Sequence, residues 1–248
     1  MYKLLIFSFL ILVSFEIDAQ SRRNDGKIMA ANFSYSYHIP LGDLADRFGN
    51  NFSAGGGFDY ITKNNFILGV QANVHFGNDV KENVLSTFTD SDPIIFGDFG
   101  ATSGILLRER GLYLDGHIGK LFPLRAFNKR SGIRVTLGMG LFQHKIRIQD
   151  DPQVVVSSLA GDYKKGYDRL TNGLAITEFI GYQHFAKNRL INFYAGIELT
   201  QGFTQNRRDY NFDTFERDDA KRFDGLVGFK LGWVLPFYLS DNPDEIFY

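Results

Sequence analysis

The chain has 248 residues, 27 basic against 28 acidic, and its formal net charge of -1 excludes a typical nucleic-acid-binding protein, because phosphates call for a concentrated basic surface. It contains no cysteine, which excludes disulfides, thiolate metal sites and a lipid-modified N-terminal cysteine. Its 25 phenylalanines, 12 tyrosines and 26 glycines favour strands, since aromatic side chains suit sheets and glycine relieves crowding inside curved ones.

The N-terminus is a predicted signal peptide covering residues 1–19. Lys3 supplies a positive charge, a continuous apolar stretch follows it, and Ala19 offers a small residue at the cleavage point. The apolar stretch is too short to span a bilayer as a helix. We therefore expect export and cleavage near Ala19-Gln20, so that the mature chain begins with a short periplasmic segment at residues 20–27.

Beyond the signal, apolar and polar residues alternate with period two along most of the chain. In the first such stretch, Phe33, Tyr35 and Tyr37 are separated by serines. This pattern indicates strands with one apolar and one polar face. The predicted strands are 28–39, 52–62, 66–76, 103–122, 132–148, 173–186, 190–204 and 223–238.

The lengths of the connections determine the number of strands. Short connections are predicted at 63–65 and 187–188, and long polar ones at 40–51, 77–102, 149–172 and 205–222. A turn at 108–111 would give nine strands, whereas transmembrane barrels have an even number because both termini lie in the periplasm. We therefore predict one long strand at 103–122, a periplasmic turn at 123–131, and eight strands with four long outer loops.

A soluble sandwich shows the same alternation, so the content of the polar face must distinguish it from a membrane barrel. That face is mostly Gly, Ser, Thr, Asn and Gln with single charges, which suits the narrow lumen of a small barrel. The strands are long enough to cross a bilayer. The sequence thus predicts an all-β protein, an antiparallel up-and-down transmembrane β-barrel in the outer membrane, at residues 28–239, with a periplasmic tail at 240–248.

Charged residues on the inward face predict a polar network in the lumen. An isolated charge there is costly, whereas a paired one is tolerated. We interpret these residues as mutually paired charges that stiffen the barrel, with a proton-transfer or hydrolytic site as the alternative. The predicted lumen residues are Asp59, Asp115, His117, Arg134, Glu178, Glu198, Asp224 and Lys230.

The sequence contains no motif that indicates catalysis or a cofactor. The five histidines are scattered without a metal-ligand spacing such as H-x-x-x-H. Ser157 and Ser158 lack the Gly-x-Ser-x-Gly context of a nucleophile, and the glycines at 55–57 lack a Gly-Lys-Ser/Thr ending. We therefore expect no catalytic residues, metal or cofactor. Barrel enzymes can assemble sites from distant strands, so a lipid A-modifying enzyme stays an alternative.

Two predicted outer loops mix aromatic residues with charges of both signs. Tyrosine and arginine anchor many protein interfaces, because each combines a large contact area with hydrogen bonds. These loops are expected either to bind a partner protein or to form a solvated surface facing outer-membrane lipid and lipopolysaccharide. The predicted partner-binding residues are Tyr163, Tyr167, Arg169, Arg207, Arg208, Tyr210, Phe212 and Phe215.

Several segments carry a resemblance to known proteins: the signal ending in Ala19-Gln20, YSYHIPLGDLADRFG at 35–49, GDYKKGYDRLTNG at 161–173 and TQGFTQNRRDYNFDT at 200–214. Together they resemble small outer-membrane barrels of Bacteroidota. The last two resemble a family of accessory barrels linked to the type IX secretion and gliding machinery. The resemblance implies a non-enzymatic subunit that docks onto other envelope proteins in a protein-secretion complex. A free-standing small porin-like or OmpA-type barrel is a further alternative.

Overall fold

The computed structural model describes residues 26–89, 94–125, 128–149, 153–186 and 191–239. The predicted signal peptide, most of the predicted periplasmic segment after it, the predicted turn at 187–188 and the predicted C-terminal tail lie outside the described residues. Among the residues that are described, no helix is long and apolar enough to cross a membrane.

Eight long antiparallel strands close into a barrel, in which each pairs with its neighbour along the chain and the first pairs with the last. The elements are, in chain order, β1 (Lys27–Gly42), α1 (Asp43–Arg47), β2 (Asn51–Ile61), β3 (Phe66–Gly77), β4 (Ile95–Phe96), β5 (Thr102–Ser103), β6 (Leu106–Arg125), β7 (Asn128–Gln149), β8 (Thr171–Phe185), β9 (Asn192–Asn206) and β10 (Lys221–Leu239). The short β4 and β5 pair with each other in an outer loop. The predicted all-β, eight-stranded antiparallel barrel is confirmed.

The structure also confirms that the chain does not turn at 108–111. Gly111 lies inside β6 and pairs with His144 of β7. The charged residues just before Gly111 suggest a turn in the sequence. They lie instead in the part of β6 that extends beyond the membrane, where a strand tolerates polar side chains. The predicted turn at 123–131 is too long, since β6 and β7 continue pairing to Arg125 and Asn128. Pro123 is accommodated there by a shift in register, as expected for proline in a strand.

The outer surface of the barrel is apolar and its inner surface is largely polar. On the outside, Phe58 and Leu141 are each 62% exposed, and on the inside Ser36 and His38 are buried. An apolar exterior of this kind is stable only against lipid, and a closed barrel leaves no unpaired backbone edge in hydrocarbon. The chain is therefore an outer-membrane β-barrel.

The outward face of β6 gives the height of the apolar belt. The stretch from Leu112 to Phe122 rises roughly 25 Å at about 3.3 Å per residue and about 40° of tilt, which matches the apolar band of such barrels. The exception in this stretch is Lys120, whose Nζ lies 4.5 Å from the ring centre of Phe66 and 5.8 Å from that of Phe122. Lys120 lies two residues before Phe122, at the inner end of this stretch, and is therefore near the inner membrane–water interface.

The interior has three layers. The inner end is an apolar layer that includes Ile28, Leu121 and Phe185. The middle is polar, and the outer end is a second apolar layer in which α1 and the outer loops pack against inward side chains such as Phe142. The interior is therefore filled by the protein's own side chains, as expected for an eight-stranded barrel.

Candidate functional site

The middle layer of the barrel contains a hydrogen-bonded charge network centred on His117. Its Nε2 lies 2.8 Å from Oδ1 of Asp59, and its Nδ1 lies 3.1 Å from Oδ1 of Asp115. Nη1 of Arg134 lies 2.9 Å from the other oxygen of Asp59. Three strands, β2, β6 and β7, place these side chains in the lumen because all four residues occupy inward positions of their alternation.

Lys230 extends the network to the opposite wall of the barrel. Its Nζ lies 2.6 Å from Oε2 of Glu198 and 2.9 Å from Oε1 of Gln71. The amide of Gln71 donates to Asp115 at 2.6 Å, and His38 lies 3.3 Å from Glu198. The two halves thus form one continuous network across the lumen.

The formal charges of this network balance. Each ring nitrogen of His117 faces a carboxylate, and a carboxylate only accepts hydrogen bonds, so we assign the ring as cationic with both nitrogens donating. Together with Arg134 and Lys230, His117 then neutralises the three carboxylates of the network. This balance is what makes so many buried charges tolerable in a narrow lumen.

The structure brings six of the predicted lumen residues together in this network: Asp59, Asp115, His117, Arg134, Glu198 and Lys230. Asp224 lies nearer the outer end, where it accepts from the hydroxyl of Thr204 and lies 2.8 Å from Nε2 of His144. Sequence reasoning missed His38 and Gln71 as members of the network, although their inward positions on β1 and β3 could have identified them.

The prediction that Glu178 faces the lumen is wrong. Glu178 is exposed on the outer surface of β8, between Leu137 of β7 and Leu199 of β9. The inward residue beside it is Phe179, whose ring packs against Tyr194 at 5.5 Å. An apolar residue therefore faces inward where a polar one was expected. Reading the apolar residue as outward assigns Glu178 and Phe179 to the wrong faces of β8.

The network adjoins little free space. The cavity beside it, lined by residues such as Gln71, His117 and Lys230, has a volume of about 20 Å³, which is room for about one water molecule. The apolar layers close it at both ends. No group of three or more His, Cys, Asp or Glu side chains that could hold a metal ion occurs among the described residues. The arrangement suits a structural network better than a substrate-binding site.

At the outer end, one charged residue from each of the four outer loops joins an ion-pair cluster. We number these loops L1 (43–50), L2 (78–105), L3 (150–170) and L4 (207–220). Nε of Arg47 in L1 lies 2.9 Å from Glu82 in L2, and Nε of Arg169 in L3 lies 2.6 Å from the other oxygen of Glu82. Arg169 also pairs with Asp213 in L4. This outer ion-pair cluster fixes the loops relative to one another.

The electrostatics of the outer ion-pair cluster favour an ionised Glu82. Burial alone would raise the pKa of this carboxyl, but Arg47 and Arg169 outweigh burial and hold the pKa below its ordinary value. Arg208 adds a second link between loops, because it donates from Nε to Asp168 at 2.7 Å and from Nη2 to the other oxygen. A two-pronged pair of this kind also fixes orientation.

Above the outer ion-pair cluster, aromatic side chains line a pocket of about 560 Å³. We call it the outer aromatic pocket. Its aromatic residues are Phe88 of L2, Tyr163 and Tyr167 of L3, and Phe212 and Phe215 of L4, and hydroxyl groups of Thr87, Ser157 and Ser158 complete its lining. Tyr163 is 62% exposed and Phe215 69% exposed, while Tyr167 packs edge-on against Phe88 and Phe212.

The predicted partner-binding residues comprise five aromatic residues and three arginines. Tyr163, Tyr167, Phe212 and Phe215 line the outer aromatic pocket. The remaining aromatic residue, Tyr210, is partly exposed, and its hydroxyl donates to the carbonyl of Phe215.

The arginines are a correction to the prediction. Arg169 and Arg208 are occupied by acids of neighbouring loops and are not free to bind a partner. Arg207 is exposed, but its guanidinium donates to Asn172 at 2.6 Å. Sequence reasoning placed these three arginines in outer loops, where they lie in the structure, but it could not pair arginines with acids that are distant in the chain.

Comparison with known proteins finds similarity only in solved structures. No protein-family model matches the sequence, and no curated protein matches it significantly. The barrel is similar to Ail, the attachment invasion locus protein of Yersinia pestis, with 10% identity and a TM-score of 0.43 over 85% of this chain and 99% of Ail. Neisserial surface protein A is also similar, with 9% identity and a TM-score of 0.43, and the match covers 84% of this chain and 97% of that protein.

A third similar structure is the outer membrane protein OprG from Pseudomonas aeruginosa. It has 12% identity and a TM-score of 0.38, and the match covers 90% of this chain and 100% of OprG. Identities this low leave the function to be inferred from this chain's own residues.

Proposed function

We propose that this outer-membrane barrel is a non-enzymatic accessory subunit of a protein-secretion complex of the type IX kind, and that it binds partner proteins through its outer loops. The observation that carries the proposal is the outer aromatic pocket, in which Tyr163 and Phe215 stand exposed on loops. Aromatic side chains such as these are enriched at protein interfaces. The segments 161–173 and 200–214, which resemble accessory barrels of that machinery, contribute Tyr163, Tyr167 and Phe212 to this pocket.

The loops that carry the pocket are preorganised. Tyr167 lies two residues from Arg169, and Phe212 lies next to Asp213, so the Arg169–Asp213 ion pair holds the two sides of the pocket together. The backbone N–H of Phe212 also donates to the carbonyl of Gly166 at 3.0 Å. A binding surface that is already ordered loses less conformational entropy when a partner binds. This supports a docking role for the loops.

Glu178 provides separate support for a partner within the membrane. Its carboxyl group is on the lipid-facing side of β8, flanked by Leu137 and Leu199. A carboxyl group facing hydrocarbon is unfavourable for an isolated barrel, and ionisable residues inside a membrane usually have a functional reason. A hydrogen-bond donor from a neighbouring membrane protein would relieve this cost, as expected for a subunit of a complex.

The filled interior supports a scaffolding role rather than transport or catalysis. The polar network is balanced within itself and adjoins a cavity of about 20 Å³. A porin-like barrel needs a continuous aqueous path, and a lipid A-modifying enzyme needs polar groups that reach the lipid substrate. The network is instead closed between two apolar layers of the barrel interior.

Co-purification in mild detergent tests the proposal. The wild-type protein is expected to carry other envelope proteins in fixed stoichiometry, and the double variant Tyr163→Ala/Phe215→Ala is expected to lose most of them. Phe99→Ala is the matched control, because Phe99 is 93% exposed in L2 but does not line the pocket. A wild-type protein that elutes alone would refute the subunit role, and equal loss in the control would refute the role of the pocket.

A further inference from the structure

Four basic residues form a patch on the outward face of β6 and β7. In the antiparallel register Arg108 lies opposite Arg147, and Arg110 lies opposite Lys145. We call these residues the basic quartet. Like charges directly opposite each other on one face of a sheet destabilise it. Two such pairs in succession are unfavourable unless an anion compensates them.

The basic quartet is located immediately beyond the apolar belt. On the outward face of β6, Arg110 is the next residue beyond Leu112 toward the outside of the cell. On the outward face of β7, Lys145 lies beyond Leu141 and Gln143 in the same direction. These side chains belong to regular strands rather than to loops, so their height is fixed by the barrel. They lie where the hydrocarbon of the outer leaflet ends and the lipid headgroups begin.

The residues that the structure describes supply little compensating charge. Among them, Arg108 and Arg147 have no ion-pair or hydrogen-bond partner. Arg110 donates to the backbone carbonyl of Glu109 at 2.6 Å. Nζ of Lys145 is 3.9 Å from Asp168, a carboxylate that is already held at both oxygens by Arg208. Within the described part of the chain, most of the positive charge of the quartet is therefore uncompensated where it faces the headgroup layer.

We propose that the basic quartet binds the phosphate groups of a glycolipid in the outer leaflet. A phosphate offers several acceptor oxygens, and the planar fork of arginine binds them with two hydrogen bonds. The adjoining apolar belt at Leu112 and Leu141 would contact the acyl chains of the same molecule. A soluble acidic protein would contact the charges but not the apolar belt, so the combination favours a phosphorylated lipid. The site is separate from the outer aromatic pocket and does not depend on the proposed function.

The double variant Arg108→Gln/Arg147→Gln tests this site. The matched control is Arg217→Gln/Lys221→Gln, which removes two exposed basic residues from L4 and the start of β10. Each protein is purified in neutral detergent and titrated with diphosphorylated lipid A, with the same lipid after removal of its phosphates, with inorganic phosphate and with polyglutamate. The readout is the temperature at which the folded barrel unfolds.

The double variant is expected to differ from the wild type in one way without lipid and in another way with lipid. In neutral detergent at low salt, the double variant unfolds at the same temperature as the wild type or about 1–3 °C higher, because repulsion is removed. With diphosphorylated lipid A, the wild type is stabilised, and half-saturation of the double variant needs at least about tenfold more lipid. The control behaves like the wild type in both arms.

Each other outcome would overturn the proposal. Equal lipid A binding by wild type and double variant would exclude the quartet as the site. Equal binding of the dephosphorylated lipid would exclude phosphate recognition, and half-saturation by inorganic phosphate at the same concentration would indicate an adventitious anion site. Stronger binding of polyglutamate than of lipid A would indicate an acidic protein as the occupant.

Discussion

The lumen network and the outer ion-pair cluster both join charged residues that are distant in the chain, but they depend on different parts of the fold. In the lumen, strands hold the charges at inward positions, and their partners lie across a narrow interior, as Glu198 and Lys230 do. At the outer end, loops without regular periodicity bring Glu82 and Arg169 together. The first arrangement is fixed by the barrel itself, whereas the second can open without unfolding the barrel.

This difference assigns separate roles to the two regions. A break in the lumen network affects the stability of the whole barrel, because its charges are buried. A break in the outer ion-pair cluster affects the position of the loops and of the outer aromatic pocket above them. Charged residues of the same type are therefore expected to differ in both the size and the kind of effect.

Glu198→Lys is expected to have the largest effect on stability. The new lysine would face Lys230 in a nearly dry lumen and leave His38 without its acid. Breaking a buried ion pair costs about 3–5 kcal/mol, so folding yield and the unfolding temperature in detergent should both fall strongly. Asp219→Lys in L4, where the carboxylate is exposed, is the matched control. Equal unfolding temperatures for the two variants would contradict a lumen position for Glu198.

The contrast between regular strands and irregular loops also explains which parts of the structure could be predicted from the sequence. Period-two alternation identified the strands, and the requirement for an even number of strands showed that β6 continues through Gly111. Alternation also placed His117 and Glu198 inside. It failed at Glu178 because Phe179 packs inside the barrel, where glycine makes room: a Cβ at Gly181 would lie 2.7 Å from the ring of Phe179. Packing of this kind is not visible in a polar–apolar pattern.

The outer loops were predictable in composition but not in contacts. L3 and L4 were correctly identified as rich in aromatic residues, and four of those residues line the outer aromatic pocket. The pairing of Arg169 with Glu82 and Asp213 could not be inferred, because loops carry no periodicity that sets their register. The role of Arg47 in α1 was missed for the same reason.

Glu178→Leu is expected to have a smaller effect, of opposite sign to that of Glu198→Lys. Replacing a lipid-facing carboxyl group with an apolar side chain should stabilise the isolated barrel in lipid vesicles by about 1–2 kcal/mol. In co-purification the same variant should carry less partner, because the hydrogen bond to that partner is lost. Ile180→Leu, an apolar exchange on the same outward face, is the control. A lower stability of Glu178→Leu in vesicles would contradict the outward position.

The smallest expected effect is a pH-dependent opening of the outer loops at Glu82. Arg47 and Arg169 hold the pKa of Glu82 below its ordinary value in the folded protein. A carboxyl group with a depressed pKa stabilises the folded loops fully above its ordinary pKa and loses this contribution as the pH falls through the depressed value. Lowering the pH below the ordinary range of glutamate should therefore weaken the outer ion-pair cluster while the barrel remains folded.

Hydrogen exchange of the L2 amides measures this opening, because exchange follows the population of the open loop. After division by the intrinsic exchange rate of an unprotected amide at each pH, the open population of the wild-type loop should be about fivefold larger in acid than near neutral pH, corresponding to about 1 kcal/mol for a partly exposed ion pair. Glu82→Gln should show the larger open population at both pH values. Asp162→Asn is the matched control, since Asp162 is exposed and pairs with Lys165 of its own loop. If Glu82→Gln keeps the acid-induced step, then another acid of the cluster, such as Asp213, controls the loops.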